Sequence, residues 1–434
     1  LLVSIYLWDF LFLSVIIINM HEFPRDFFWG AATSAHQVEG GNSLNDWWEY
    51  EEAGRLKYRS GDACRHYDLF KQDFDLAREL NHNCHRLSIE WSRIEPEEGV
   101  FSLKELGHYK NVILALRERG LEPIVTLHHF TNPLWFLKLG GWTFKKAPDY
   151  FLRYVSKVME ALAGDVRFWV TINEPMVYLY HSYLLGAWPP QEKSFIKTKI
   201  AEDNLLRAHI KAYRLIKDIY KKSGLIEPMV SIAQNMQAFV PCRPTLRNRL
   251  AAGLRANFFN LGFIERSLSA RTLDFIGVNY YSRSLVELKG WGVRNFAMDV
   301  CDGRHSSLKK NSLGWEIYAE GLYQVLVSLK KYGLPVFILE NGICTEDDSL
   351  RWDFIREHLK SLNRAMASGI KVLGYIYWSL IDNYEWDKGF APRFGLIGVD
   401  YTNYNARLKK ARVNLPRYVW RAESILDIYL RQKF

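Results

Sequence analysis

"FWVTINEP", Phe168 to Pro175, runs through five apolar or β-branched residues and then changes character at Asn173, Glu174 and Pro175. The first part reads as a strand covered on both sides, where apolar residues follow one another without alternation. A strand of that kind cannot end on a carboxyl group inside the core, because an unpaired buried charge is too costly. The pattern recurs along the chain in "FFWGAATSA" (27–35), "CHRLSIEW" (84–91), "EPIVTLHH" (122–129), "MVSIAQNM" (229–236), "LDFIGVNYY" (273–281), "PVFILENG" (335–342) and "VLGYIYWSL" (372–380), which makes eight runs. Helix-period segments lie between them, among them "YDLFKQDFDLAREL" (67–80), "LKELGHYKNVILALRERG" (103–120) and "IREHLKSLNRAMASG" (355–369). Strand–helix alternation implies parallel strands joined by crossover helices, and eight such units close into an α/β fold, a single (β/α)8 TIM barrel. An open doubly wound sheet would show fewer units and a Gly-rich first turn.

Almost every run ends in side chains that can do chemistry: Gln37, Arg86 and Glu90, His128 and His129, Asn173 and Glu174, Asn235, Asn279 and Tyr281, Glu340 and Asn341, and Trp378. In a barrel these ends share one mouth, where the catalytic loops gather. A strand-end Glu taken alone is commonly a surface charge; eight ends behaving alike argue for a shared site. Glu174 and Glu340 close the fourth and seventh runs, nearly opposite each other in an eight-membered ring. Two carboxyl groups so placed suit acetal cleavage, with one protonating the departing oxygen and the other working on the opposite side of the sugar. Arg86 is the expected cation beside Glu340, keeping it ionised, and the facing charge is expected to hold Glu174 protonated.

The chain has 434 residues, 48% hydrophobic and 15% aromatic, enough for a large core and for flat walls on which sugar rings stack. A net charge of +9 raises the question of nucleic acid, but Lys and Arg are scattered along helix-like segments. The densest cluster, "RPTLRNRL" (243–250), lacks a binding motif and reads as a solvated basic surface. Five cysteines without a C-x-x-C pair argue against a disulfide framework or a zinc site and suit a reducing, cytoplasmic compartment. Residues 1–19, "LLVSIYLWDFLFLSVIIIN", are nearly long enough to span a bilayer but hold Asp9 and lack a basic start or a cleavage site. The reading favours upstream sequence ahead of Met20 over a membrane anchor or a signal. Residues 20–434 are then expected to form a single (β/α)8 domain, and a membrane role rests on residues 1–19 alone.

"TINEP" and "ILENG", together with "FFWGAATSAHQVEGG", "HRLSIEWSRIEP", "GVNYY" and "WSLIDNYEWDKGFAPRFGL", resemble the signature blocks of glycoside hydrolase family 1, the β-glucosidase and β-galactosidase family, from about Phe23 to the C-terminus. The resemblance implies a single (β/α)8 barrel and no metal or organic cofactor. It implies Glu174 as acid/base and Glu340 as nucleophile, with Arg86 and Tyr281 assisting. Asn173 would hold the sugar 2-hydroxyl, Gln37 and His129 the 3- and 4-hydroxyls, and Glu385 with Trp386 the 4- and 6-hydroxyls. Trp378 would be the stacking floor and Phe394 part of the wall, and Asn279 joins the substrate-binding group. His129 is preferred to His128 because the family's histidine precedes the aromatic of "TLHHF".

The expected function is a retaining β-glycosidase acting on β-glucosides, with galactosides and fucosides as secondary substrates; the alternative is a catalytically silent sugar- or protein-binding barrel. The partner is a small β-glycoside or oligosaccharide and not nucleic acid, and the sequence says nothing of oligomeric state. An intact Glu174 separates the chain from thioglucosidases that carry Gln there. Glu385 of "NYEW" opposes a 6-phosphosugar. The connection between the fifth and sixth runs is shorter than is usual in the family, and 285–312 is lean, which predicts a broad leaving-group preference.

Overall fold

A computed structural model describes residues 23–288 and 306–401. Ten strands follow in chain order: β1 (Phe28–Ala32), β2 (Cys84–Ser88), β3 (Glu122–Thr126), β4 (Phe168–Asn173), β5 (Met229–Asn235), β6 (Ala238–Pro241), β7 (Ile276–Tyr280), β8 (Arg283–Val286), β9 (Val336–Asn341) and β10 (Val372–Trp378). Eight of them close a parallel barrel in the order β1-β10-β9-β7-β5-β4-β3-β2. Each of the eight sequence runs contains one of these barrel strands. Arg86, Asn173, Asn235, Asn279, Glu340, Asn341 and Trp378 lie within the strands, whereas Gln37, Glu90, His128, His129, Glu174 and Tyr281 stand just past them.

The barrel interior explains why chemistry sits at only one end. Phe28, Phe168, Phe275 and Phe337 meet at the N-terminal end, with ring centroids 5.2 Å apart for Phe28–Phe168 and 6.0 Å for Phe275–Phe337. These rings plug the floor, and Ile124, Val170, Leu339 and Ile376 fill the layer around them. Polar side chains can then gather only above this plug.

Several of the surrounding helices start where a side chain satisfies their first N–H groups. Ser102 accepts from Glu105 N (3.2 Å) at the start of Leu103–Glu118, and Ser194 accepts from Lys197 N at the start of Phe195–Lys222. The last crossover helix is longer than its apolar periodicity predicts. It spans Asp348–Ala367 because Asp347 accepts from Ser349 N and Leu350 N, so the polar stretch before residue 355 is already helical.

Gly342, directly after the "LEN" end of β9, passes so close to the next strand that an added Cβ would lie 2.0 Å from the Trp378 carbonyl oxygen. Gly342→Ala is therefore expected to destabilise the chain by about 1–3 kcal/mol through overpacking. Urea denaturation of the two proteins would check this, and equal midpoints would refute it.

Between β5 and β7 the short connection is ordered. β6 pairs in parallel with β8 in a separate two-stranded sheet, and Leu246–Arg255 continues through a wider π turn, Ala256–Leu261, into Gly262–Ser269. The expectation about cysteines needs one correction: Cys242 is disulfide-bonded, whereas Cys64, Cys84 and Cys344 are buried thiols. An odd cysteine count argues against a framework but does not forbid one bridge. Residues 1–19 and much of 285–312 lie outside the described residues. Among the described residues no helix is long and apolar enough to cross a membrane, and no group of three His, Cys, Asp or Glu could hold a metal ion.

Candidate active site

Glu174 leaves β4 in the left-handed region, at φ 44° and ψ 57°, and its N–H donates to Ala233 O (2.7 Å). Pro175 then opens the short helix Pro175–Leu179 at a position that needs no N–H. The abrupt stop in "INEP" is thus a sharp turn that throws the carboxyl group into the barrel mouth. Barrel register does the rest: Asn235 of β5 lies beside Asn279 of β7, and Asn279 lies beside Glu340 of β9.

The two glutamates are buried but held differently. Glu340 Oε1 accepts from Arg86 Nη1 (2.6 Å), and its Oε2 accepts from Tyr281 OH (2.5 Å). Arg86, itself buried, also donates to Asn173 Oδ1 (2.7 Å), Thr126 Oγ1 (3.1 Å) and Leu339 O (3.2 Å), so its position is fixed by β3, β4 and β9 together. Glu174 receives only neutral amides, Asn235 Nδ2 and Asn279 Nδ2, both at 2.9 Å and both on Oε1. Its other oxygen remains available to carry a proton.

Burial, with the Glu340 charge adding to it, pushes the Glu174 carboxyl up to about 8. Glu340 is raised too. Burial outweighs the lowering by Arg86 and Tyr281, although Arg86 is the expected cationic neighbour. The charge still belongs on Glu340, because a guanidinium and a phenol stabilise an anion better than two amides do. The Asn279 amide bonds Glu174 and also lowers the pKa of Glu340, so the two carboxyl groups flank one amide.

Above them opens a cavity of about 590 Å3. Gln37, His129, Asn173, Glu174, Tyr281, Glu340, Trp378, Glu385, Trp386 and Phe394 all line it. Arg86 and Asn279 do not; they stand behind the carboxyl groups. Gln37 is pinned by Nε2–H donation to Asn383 Oδ1 (3.0 Å) and Tyr384 O (2.8 Å). His129 stacks within 22° of the Trp378 plane, and Asn173 Nδ2 lies 3.2 Å from its Nε2. Burial, with Arg86 and His128 adding, drives His129 well below the usual histidine range, so it is a neutral imidazole. His128 instead bonds Asn132 (3.1 Å) behind the wall. Glu385 accepts from Trp378 Nε1 (3.1 Å), and burial pushes it up to about 8.

Sequence reasoning missed several contributors. Asn235 stood among the strand-end residues without a role, yet it bonds Glu174. Trp315, from a segment far from any strand, faces Tyr281 (5.9 Å) and Phe394 (6.2 Å) at the cavity edge. Phe130, His181 and Trp188 add to the wall, and burial holds His181 down at about 4. Of these, Asn235 carried a signal in its place at a strand end and Phe130 in the "TLHHF" block.

A parallel barrel whose mouth holds two buried glutamates under aromatic walls defines the class: an enzyme that hydrolyses glycosides. The chain belongs to Glycosyl hydrolase family 1, which it matches over residues 19–270 and 265–415. It is 30% identical to Beta-glucosidase A of Thermotoga maritima over 90% of this chain and 96% of that one. It is equally 30% identical to the 6-phospho-beta-glucosidase GmuD of Bacillus subtilis, over 90% and 96%. The solved beta-glycosidase from Pyrococcus horikoshii superposes with a TM-score of 0.82 at 41% identity, covering 88% of this chain and 91% of that one.

Proposed function

We propose that the chain hydrolyses terminal β-D-glucosyl residues, and more slowly galactosyl and fucosyl residues, with retention of configuration. The unequal hydrogen bonding of the two carboxyl groups carries this reading: Glu340 has a cation and a phenol on its oxygens, while Glu174 has one oxygen free for a proton. In the first step a Glu340 oxygen bonds to the anomeric carbon, the glycosidic C–O bond breaks, and the departing oxygen takes the Glu174 proton. Glu340 is then an uncharged ester, so the repulsion that added to the effect of burial on Glu174 disappears and its carboxylate becomes a base. Water gives that carboxylate a proton and attacks the anomeric carbon, and the ester bond breaks to restore Glu340.

Asn173, fixed by Arg86, would hold the 2-hydroxyl, where a contact that strengthens in the transition state accelerates most. Gln37, His129, Glu385 and Trp386 would bind the remaining hydroxyls, with Trp378 beneath the ring and Phe394 beside it. Asn279 is better read as a group that orients Glu174 than as a direct sugar ligand. Broad acceptance of leaving groups fits a mouth edged by Trp315 and Leu313. A cytoplasmic location is supported by the buried thiols of Cys64, Cys84 and Cys344 and opposed by the bonded Cys242.

Turnover of a nitrophenyl β-glucoside, with the product anomer followed by NMR, tests the reading: β-glucose must appear first. No turnover would favour a silent barrel, and first-formed α-glucose would exclude double displacement. The same panel should include glucose 6-phosphate glycosides. Glu385 gains its charge as pH rises through about 8, so the preference for glucoside over its 6-phosphate should be about tenfold or more near pH 6 and wider near pH 9. Loss of Glu174 protonation affects both substrates alike and cancels in that ratio.

A further inference from the structure

The helix Leu246–Arg255 and the π turn after it present an apolar stripe that the barrel does not use. Leu246 is 74% exposed, Leu250 58%, Leu254 52% and Phe258 62%. At about 100° per residue, the first three fall within an arc of about 80°. Steps of four drift around an α-helix, and the wider turn at Ala256–Leu261 offsets that drift for Phe258. The opposite face is satisfied: Ala251 and Ala252 pack with Val286 and Phe239 against the β6–β8 sheet. Arg249 and Arg247, both exposed, border the stripe on its two sides, and exposed Arg243 precedes it. No Asp or Glu occurs from residue 228 to 264.

An apolar stripe edged by arginines is the pattern of a helix lying in the plane of a lipid surface. Leucine and phenylalanine enter the acyl boundary while the guanidinium groups stay among headgroup phosphates. We infer that Leu246–Phe258 docks the protein onto an anionic lipid surface. The charge decides between this occupant and others. A second copy of the chain on a two-fold axis would set arginine against arginine. Residues 402–434, with eight Lys or Arg against two Asp or Glu, carry the same sign as the helix. Ser284 and Leu285 of β8 line the catalytic cavity, so the docking helix rests on the sheet that forms one edge of the cavity mouth.

Co-sedimentation of the full chain with vesicles of phosphatidylcholine, with and without about 30% phosphatidylserine, tests the inference. Binding should be at least about tenfold tighter to the anionic vesicles and should weaken with salt. Arg247→Glu with Arg249→Glu, and separately Leu250→Glu with Leu254→Glu, should each weaken it by about tenfold or more. These side chains are exposed and line no part of the cavity, so turnover of a nitrophenyl β-glucoside should persist in both variants and report that they are folded. Equal binding to both vesicle types would overturn the inference. So would binding untouched by either pair of substitutions but lost in a chain starting at Met20, which would assign the anchor to residues 1–19. A change from dimer to monomer in the leucine variant, without vesicle binding by the parent, would assign the stripe to a second copy instead.

Discussion

Glu340→Ala is expected to lower kcat on an aryl β-glucoside by about 10^5-fold, corresponding to about 7 kcal/mol of lost transition-state stabilisation. The size follows from the chemistry assigned to it: without a carboxylate opposite the leaving group no glycosyl ester forms, and the remaining contacts only hold the sugar. Azide should restore turnover, because the missing side chain leaves room for a small anion beside Arg86 and Tyr281. The restored product should be the α-glycosyl azide, since one displacement inverts the anomeric carbon. Truncation also strips a buried guanidinium of its anion, and breaking such a pair costs about 3–5 kcal/mol of stability. Glu340→Gln, which keeps the shape and an acceptor for Arg86, separates loss of chemistry from loss of fold: it should be folded by circular dichroism and equally slow. A folded Glu340→Gln protein with more than about one-tenth of the parent rate would remove Glu340 from the chemistry.

How much of this was legible beforehand depends on which residues report their surroundings locally. The barrel strands did, because "FWVTI" or "VFIL" buried on both faces has no other use, and the polar residues that follow mark the mouth. The roles of Asn235 and Asn279 were not legible, although their places at strand ends were. Their hold on Glu174 comes from the register of β5, β7 and β9, a pairing of residues up to 105 positions apart for Asn279 and Glu174. β6 was missed because four residues starting three positions after β5 show no periodicity of their own. Trp315 reaches the cavity from an irregular segment, so nothing in its neighbours announces it. The stripe of Leu246, Leu250, Leu254 and Phe258 is visible as a spacing of four, but only the packing of Ala251 and Ala252 tells which side faces out. The arginines read as solvated in sequence and acquire meaning beside that exposed face.

Glu174→Ala should separate substrates by how much help their leaving group needs. An alkyl β-glucoside leaves as a strongly basic alkoxide unless protonated, so its kcat/KM should fall by about 10^3-fold or more. A dinitrophenolate leaves unaided, and its kcat/KM should stay within about tenfold of the parent. For that substrate the second step becomes slow because no base receives the water proton, the ester accumulates, and kcat and KM fall together. Added azide needs no base, so it should raise kcat and yield the β-glycosyl azide, the anomer opposite to that from Glu340→Ala. The pH profile gives an independent reading. The parent needs Glu174 protonated, so kcat/KM should decline as pH rises through about 8, and it needs Glu340 ionised, so the acidic limb should lie above the ordinary carboxylate value. In Glu174→Ala the alkaline limb should vanish while the acidic limb stays, because only one of the two titrating groups has been removed. An alkaline limb that survives the substitution would mean that another group donates the proton, and the two glutamates would have to be reassigned.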